Sequence, residues 1–241
     1  MRALHITFRT PRPIILPLAY NELVQGLLYS CWRDGMPQLH DGGFGEQGMR
    51  LFTFGPLRGK ASIDAKKRTI RFERFVELEV RTPVEDLLDE LAGQLATRGV
   101  VRIGAHELQV VNLECCDRLL FPRQAKVTML SAVVAERGLE DGHATPLAPT
   151  DEGWIDYVRT NACHKAAALG LTCSQELQVI PLAETLRKRV TRFKGTYVTG
   201  WVGDLIIACD PQLLATLYCC GLGAKNSQGF GMFRINDEPL I

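Results

Sequence analysis

The sequence lacks the features that mark several large classes of protein. Its 241 residues contain no apolar run near the ~20 residues of a membrane span. The first segment, MRALHITFRTPRP, has no long apolar core of the kind that a signal peptide carries. We therefore expect a cytoplasmic protein with no membrane partner. Hydrophobic residues make up 46% and charged residues 23% of the chain, which is typical of a folded globular protein and excludes disordered, collagenous and coiled-coil classes.

The eight cysteines are spaced too irregularly for a disulfide framework or a zinc site. None belongs to a C-x-x-C pair, and two adjacent cysteines such as Cys115 and Cys116 point to opposite faces of a strand. We expect no metal and no cofactor, and we interpret most of the cysteines as small core residues. The formal net charge is only +1, so any case for a nucleic-acid partner must rest on local basic clusters.

The two halves of the chain show the same order of predicted elements. The first half has a strand at 2–9, a helix at 20–33, short strands at 50–54, 60–65 and 69–80, a helix that starts at Thr82 and Pro83, and a strand or hairpin at 100–114. The second half has a strand at 125–135, a helix at 154–169, strands at 175–181 and 187–208, a helix from Pro211 to Gly221, and a strand at 230–235. Both orders are β-α-β-β-α-β, the ferredoxin-like unit. The predicted fold class is therefore α+β, with two tandem ferredoxin-like domains at 1–122 and 123–241.

A glycine-rich segment connects the last predicted helix to the last strand. Residues 221–231 read GLGAKNSQGFG, which is G-x-G-x5-G-x-G. The segment is not a dinucleotide fingerprint, because Asn226 stands where glycine is required and a helix precedes it, and it lacks the G-K-[ST] of a P-loop. Bare backbone N–H groups and the charge of Lys225 would suit a phosphate. The alternative is a helix C-cap followed by a bulge, and spacing alone leaves both open.

Basic residues are segregated along the chain although the total charge is near zero. Five of them fall within eight residues that contain no acid: Arg187, Lys188, Arg189, Arg192 and Lys194. A second basic stretch runs from Arg58 to Arg74. Such stretches suit a phosphate backbone, and an ordinary solvated face is the alternative for each.

Several segments resemble one protein family. The phrase GAKNSQGFGMF is similar to the C-terminal loop of the CRISPR repeat-processing endoribonucleases, which belong to the repeat-associated RNA-binding (RAMP) superfamily. VQGLLY at 24–29 resembles the family's first-helix motif. Leu39-His40-Asp41, followed by MRLFTF at 49–54, resembles its L-H-[DE] and K-L-F-T-[FY] segments. Thr145-Pro146-Leu147, and Asn161 with Lys165, resemble mid-chain motifs. The resemblance spans nearly the whole chain and is most specific at its two ends.

The resemblance implies a metal-independent endoribonuclease that cuts CRISPR precursor RNA within its repeats. In this chemistry the ribose 2′-OH attacks the phosphate, and the products carry a 2′,3′-cyclic phosphate and a 5′-OH. His40 is the candidate general acid or base, because histidine titrates near neutrality. Tyr29 is the candidate contact to the 2′-OH or the reacting phosphate, and Arg50 is the candidate cation.

Arg50 departs from the family pattern, which has a lysine at this position. An arginine can stabilise the charged phosphorane through two hydrogen bonds, but it has no useful pKa as a proton donor. Tyr29 is predicted to point away from the apolar stripe of its helix, near Glu22 and Gln25, so a plain surface tyrosine is the alternative. The histidines at positions 5, 106, 143 and 164 are weaker candidates than His40.

The resemblance also implies that the basic segment 187–194 and the glycine-rich loop bind the repeat RNA. The loop candidates are Gly221, Gly223, Lys225, Asn226, Ser227, Gly229 and Gly231. One alternative function is a non-catalytic RNA-binding subunit of a CRISPR effector complex, which the departure at Arg50 favours. Another is an unrelated nucleotide-binding protein with a ferredoxin-like fold. A homodimer and contacts with effector subunits are left open.

Overall fold

The computed structural model describes residues 2–33, 35–36, 39, 42–117, 120–138, 144–173 and 176–236. Within these residues the α-helices are α1 (Asn21–Trp32), α2 (Glu85–Arg98), α3 (Trp154–Ala168) and α4 (Pro211–Cys220). The strands of the first half are β1 (Arg2–Arg9), β2 (Ile14–Pro17), β3 (Thr53–Phe54), β4 (Ala61–Asp64), β5 (Thr69–Phe72), β6 (Phe75–Thr82), β7 (Val100–Ile103) and β8 (His106–Asp117). Those of the second half are β9 (Gln124–Met129), β10 (Glu136–Gly138), β11 (Ala144–Pro146), β12 (Gln178–Pro181), β13 (Arg187–Phe193), β14 (Thr196–Val202), β15 (Asp204–Ala208) and β16 (Phe233–Ile235).

Two antiparallel sheets form the framework, one in each half of the chain. The first has the strand order β3-β6-β1-β8-β7, and the second has the order β12-β15-β9-β16. In both sheets the first long strand of the half lies between the strand that precedes the second helix and a strand that follows that helix. This is the ferredoxin-like arrangement, and it confirms the predicted α+β fold of two tandem ferredoxin-like units.

Each half has its own apolar core. The first core cluster contains residues between Leu4 and Leu108, and the second contains residues between Ala125 and Ile235. Helix α2 contributes leucines at helical spacing, namely Leu87, Leu88, Leu91 and Leu95. The predicted junction at Pro122 and Arg123 falls between the two clusters. The domain boundaries 1–122 and 123–241 stay a prediction.

The observed elements differ from the predicted ones where the backbone turns. The predicted strand 69–80 is two strands: β5 joins the small sheet β2-β5-β4, and β6 joins the main sheet. The predicted strand 187–208 is three strands, separated at Gly195 (φ 87°) and Gly203 (φ 148°), whereas Gly200 lies inside β14. Helix α2 begins at Glu85 after the cap residue Val84. Strand β2 and the pair β10-β11 were too short to predict.

The cysteines follow the expectation of core residues only in part. Four free cysteines are buried: Cys31, Cys209, Cys219 and Cys220. Cys115 is exposed, and a disulfide joins Cys163 of α3 to Cys173, so the expectation is wrong for these residues. In the part of the chain that the structure describes, no helix has both the length and the apolar character needed to cross a membrane.

A buried ion pair on β6 connects the two halves. The Arg81 Nε donates to Glu79 Oε1 at 2.6 Å, and both side chains are buried. The Arg81 Nη1 also donates to the backbone oxygen of Phe233 at 2.6 Å, and the guanidinium lies 3.8 Å from the centroid of the Tyr218 ring. Burial is the largest single effect on Glu79 and raises its pKa, but the charge and hydrogen bond of Arg81, with smaller contributions from His5 and Arg58, together lower the pKa by more, so that the pKa is lowered. Arg81 therefore fixes β6 of the first half to α4 and β16 of the second.

We expect Arg81→Met to lower the free energy of unfolding by about 3–5 kcal/mol, because it leaves the buried Glu79 carboxylate without its main partner. The double variant Glu79→Gln/Arg81→Met should lose less, because no uncompensated charge remains. Urea unfolding at neutral pH measures both. The exposed pair Arg102–Glu107 provides the control, since Arg102→Met should cost less than about 1 kcal/mol. Equal losses in the single and double variants would contradict the prediction.

Candidate functional site

The side chain of Asn226 closes the glycine-rich loop with hydrogen bonds. Asn226 is buried, and its Nδ2 donates to the backbone oxygens of Leu222 (3.2 Å) and Phe230 (3.0 Å). Gly231 has a φ of 76°, and a Cβ at this position would overlap Leu222 O and the Asn226 amide. Glycine is therefore required where the two ends of the loop approach each other. The Gly221 N–H caps α4, so the helix-cap alternative from the sequence is present in the structure.

The first half of the chain donates hydrogen bonds to this loop. From α1, Asn21 Nδ2 donates to Gln228 O and Gln25 Nε2 donates to Ser227 O, both at 2.9 Å. Gly229 (φ 85°) permits this approach, because a Cβ there would lie 2.5 Å from the Phe54 ring. The loop therefore covers part of the polar side of α1, and the two amides supply donors to partly buried backbone oxygens of the loop.

Lys165 of α3 reaches the same loop from the second half. The side chain is 2% exposed, and Nζ donates to the backbone oxygens of Gly221 (2.7 Å) and Gly223 (2.8 Å). Burial lowers the pKa of Lys165 to about 7, and the adjacent Cys220 only partly opposes this shift. Near neutral pH the amine is therefore divided between its charged and neutral forms. A neutral amine still carries the two N–H groups that the loop uses.

The loop, α3 and the segment 48–52 enclose a pocket of about 190 Å³. Its lining includes Arg50 and Phe52 from the first half, Asn161 and Lys165 from α3, and Lys225, Asn226 and Ser227 from the loop. The Oδ1 atom of Asn161 is buried, with no hydrogen-bond partner among the described residues. The structure thus brings the candidate Arg50 together with three loop candidates that lie about 175 residues further along the chain.

The Arg50 side chain folds back on the turn that precedes it. Its Nη1 donates to Gly48 O at 2.7 Å, and Phe44 pairs with Met49 across the same turn. His40 lies outside the residues that the structure describes, as does His143. The proximity of His40 to Arg50 therefore stays a prediction.

Tyr29 is half-buried, whereas the sequence predicted an exposed side chain. Its ring centroid lies 6.0 Å from that of Phe52 and 6.2 Å from that of Trp32, in edge-to-face geometry. The helical wheel correctly places Tyr29 off the main apolar stripe of α1, but it cannot show that Phe52 covers this side of the helix. Because Phe52 also lines the pocket, Tyr29 is one aromatic ring away from it.

The basic segment 187–194 lies on the hairpin β13-β14 and its turn. The described structure leaves all five basic side chains exposed: Arg187, Lys188, Arg189, Arg192 and Lys194. Phe193 and Val198 of the hairpin pack against Phe230 of the glycine-rich loop, on the face opposite Lys188 and Arg192. At the turn, the backbone N–H of Lys194 donates to Glu22 Oε2 of α1 at 2.9 Å. The hairpin is therefore fixed to the loop and to α1 while its basic side chains face solvent.

The remaining candidates from the sequence have local partners. Lys225 Nζ lies 2.8 Å from Glu136 Oε2, so part of its charge is compensated. His106 Nε2 lies 2.9 Å from Ile15 O, and His5 Nε2 lies 4.0 Å from Glu79 Oε1. These two histidines belong to the first sheet, as expected of structural residues.

Asn161 and Lys165 line the pocket. In the sequence they stand out only as part of a motif that resembles the family, and neither is predicted to be a site residue. Val158, Ala162 and Ala166 form the buried stripe of α3, and Lys165 falls on the same stripe. A lysine among the apolar positions of a helix is a signal of a buried cation, and it could have identified Lys165. Asn161 stands one turn earlier and gives no such signal.

Comparisons with known proteins agree with this architecture. Residues 118–235 match the family described as CRISPR associated protein Cas6, C-terminal. A solved structure described as an RAMP protein binding different RNA substrates is 19% identical, with a TM-score of 0.84 over 98% of this chain and all of that one. A Cas6-related protein from Pyrococcus furiosus is 16% identical, with a TM-score of 0.84 over 99% of both chains. A Cas6 product complex is 16% identical, with a TM-score of 0.70 over 98% of this chain and 99% of that one. Likeness at these identities shows a shared fold. A comparison with curated proteins found no match.

We expect Lys165 to make the free energy of unfolding rise between about pH 7 and pH 10. The pKa is about 7 in the folded chain and 10.5 without the fold, so the unfolded chain binds more protons in this interval. Stability then rises with a slope of up to about 1.4 kcal/mol per pH unit.

Urea unfolding of the wild type and of Lys165→Met between pH 6 and pH 10 measures this contribution. The difference between wild type and variant should rise over the interval. Lys126→Met is the matched control, because Lys126 is partly exposed and paired with Asp204. A difference that does not change with pH would show that Lys165 keeps an ordinary pKa.

Proposed function

We propose that the protein is an endoribonuclease that cleaves CRISPR precursor RNA within its repeats, and the match of residues 118–235 to the family described as CRISPR associated protein Cas6, C-terminal, is the premise of this proposal. The observation that carries the proposal is the shared pocket, in which Arg50 of the first half faces the glycine-rich loop of the second. A fixed cation beside a polar turn suits a phosphate that gains charge in a reaction. The neighbour described as an RAMP protein binding different RNA substrates supports RNA as the ligand.

The proposed reaction is metal-independent transphosphorylation. The ribose 2′-OH attacks the adjacent phosphorus, and the 5′-oxygen leaves with a proton, so the products carry a 2′,3′-cyclic phosphate and a 5′-OH. His40 transfers a proton as general acid or base, Tyr29 contacts the 2′-OH or the phosphate, and Arg50 stabilises the phosphorane. In this scheme side chains supply both the proton transfer and the positive charge.

In this proposal the two halves of the chain have different roles. The domain at 1–122 carries the three candidate catalytic residues, and the domain at 123–241 holds the RNA. The exposed basic residues of β13-β14 contact the RNA backbone, and the glycine-rich loop positions the segment that enters the pocket. Asn226, Gly229 and Gly231 serve this function by maintaining the shape of the loop, because their contacts are internal or directed to α1 and β3.

A non-catalytic RNA-binding RAMP subunit of a CRISPR effector complex is the second candidate. This candidate is favoured by the identity of residue 50. The family that the sequence resembles has a lysine there, whereas this chain has Arg50, whose side chain donates to Gly48 O. An arginine in this position keeps the affinity for phosphate and supplies no proton. Binding of RNA is common to both candidates, and only cleavage separates them.

Cleavage of the repeat RNA from the same genome, in the presence of EDTA, tests the enzyme. We expect the wild type to produce 2′,3′-cyclic phosphate ends, His40→Ala to lose at least about 100-fold in rate, and Arg50→Lys to retain more activity than Arg50→Ala. His106→Ala is the control. Tight binding without cleavage by the wild type would favour the subunit, and cleavage that survives His40→Ala would assign the proton transfer to another residue.

The exposed basic residues of the hairpin β13-β14 lead to a separate prediction about the affinity for RNA. Lys188 and Arg192 lie on one face of β13, because they are four residues apart on a strand. The variant Lys188→Gln/Arg192→Gln should bind the repeat RNA more weakly, and the slope of log affinity against log salt should decrease in magnitude by about 1.4. Fluorescence anisotropy over a range of KCl concentrations measures this. Arg102→Gln/Arg234→Gln, which removes two exposed charges elsewhere, should leave the slope closer to that of the wild type.

A further inference from the structure

Asn161 lines the pocket and carries a buried, unsatisfied acceptor. Its Oδ1 is buried and has no hydrogen-bond partner in the described part of the chain. A buried polar atom without a partner costs free energy, and folded proteins rarely leave one. The matching ligand group is a donor small enough to enter a pocket of about 190 Å³, such as a hydroxyl.

Lys165 presents a positive charge to the same pocket. It is buried beside two backbone oxygens, and in the described structure no carboxylate pairs with it. An ammonium has three N–H groups, and the loop accepts two hydrogen bonds. Arg50 adds a second cation to the lining, whereas Lys225 is compensated by Glu136. The pocket therefore suits an anion.

The two groups are arranged for one ligand. Asn161 and Lys165 are four residues apart on α3, so their Cβ atoms are neighbours at about 5–6 Å. A ribonucleotide carries a hydroxyl donor, the 2′-OH, next to an anionic phosphate. We propose that this pocket binds one ribonucleotide of the RNA, with Asn161 Oδ1 accepting a hydrogen bond from the 2′-OH and Lys165 holding the phosphate. The inference rests on the proposed function and names Asn161 as a residue that distinguishes RNA from DNA.

The proposal has a consequence for proton binding. A phosphate in the pocket raises the pKa of Lys165, so RNA binding near pH 7.5 takes up a proton. Among the described groups that face Lys165, burial raises the pKa of the Cys220 thiol and Lys225 is paired with Glu136, so neither takes up the proton. His40, the candidate proton carrier of the proposed reaction, also gains a proton beside a phosphate, so the uptake is measured on His40→Ala.

Single 2′-deoxy substitutions in the repeat RNA test the hydroxyl contact. A set of fluorescein-labelled repeat RNAs, each with one deoxyribose, is bound to the wild type and to Asn161→Ala, and each RNA is checked for integrity on a gel. At one position we expect the substitution to weaken binding to the wild type by about 3- to 10-fold and to Asn161→Ala by less than about 2-fold. Asn112→Ala, which alters an exposed asparagine of β8, should behave like the wild type.

The variant Lys165→Met tests whether the positive charge of Lys165 contributes to RNA binding. We expect this variant to bind the repeat RNA and a DNA of the same sequence more weakly by a similar factor, about 3- to 10-fold, with no proton uptake in the His40→Ala background. Lys126→Met should bind as the wild type does. If Lys165→Met does not fold, calorimetry of His40→Ala in two buffers of different ionisation enthalpy decides, because proton uptake is expected without the histidine and its absence would overturn the role of Lys165.

The outcomes separate this inference from the proposed function. A wild type that binds no repeat RNA would refute both. A wild type that binds RNA with the same deoxyribose pattern as Asn161→Ala would overturn the ribonucleotide site and leave the endoribonuclease standing. If Asn161→Ala loses cleavage but shows the same deoxyribose pattern of binding as the wild type, this would also count against Asn161 as the residue that distinguishes ribose from deoxyribose.

Discussion

The backbone oxygens of the glycine-rich loop need donors, and the architecture depends on where those donors come from. Asn21 and Gln25 of α1 supply them from the first half, and Lys165 of α3 supplies them from the second. A turn of this shape exposes carbonyl groups that cannot be left buried and unpaired. The loop therefore fixes the relative position of two separately cored units, and the pocket between them exists only while both sets of donors are in place.

The alternation and helical spacing of apolar residues predicted both ferredoxin-like units, because each unit buries a face through local periodicity. The same reasoning misjudged the side of α1 that carries Gln25 and Tyr29. Periodicity shows which residues avoid the apolar stripe of their own helix, but it cannot show that Phe52 covers Tyr29 or that a loop about 200 residues away covers Gln25. For the same reason Arg81 gave no signal of its contact with Phe233. The family resemblance, rather than spacing, made Arg50 a catalytic candidate and the loop an RNA-binding candidate, and it did not predict that they line one pocket.

The loop combines two functions that the sequence had presented as alternatives. It ends helix α4 as a cap, and it forms one wall of the pocket. Glycine is needed at Gly229 and Gly231 for close approach to Phe54 and Leu222, and the loop lines the pocket with Lys225, Asn226 and Ser227. Lys165 donates hydrogen bonds to this wall, and its pKa is about 7. The stability of the wall and the charge of the pocket are thus coupled through one amine.

The hydrogen bonds between α1 and the loop join residues separated by 202 to 208 positions. During translation, α1 leaves the ribosome long before its partners in the loop are synthesised. The first unit can bury its own core in this interval, but Asn21 and Gln25 remain solvated, and the wall opposite Arg50 does not yet exist. A nascent or truncated chain therefore carries Arg50 without the opposite wall of its pocket. The order of synthesis thereby delays formation of the pocket until the loop has docked.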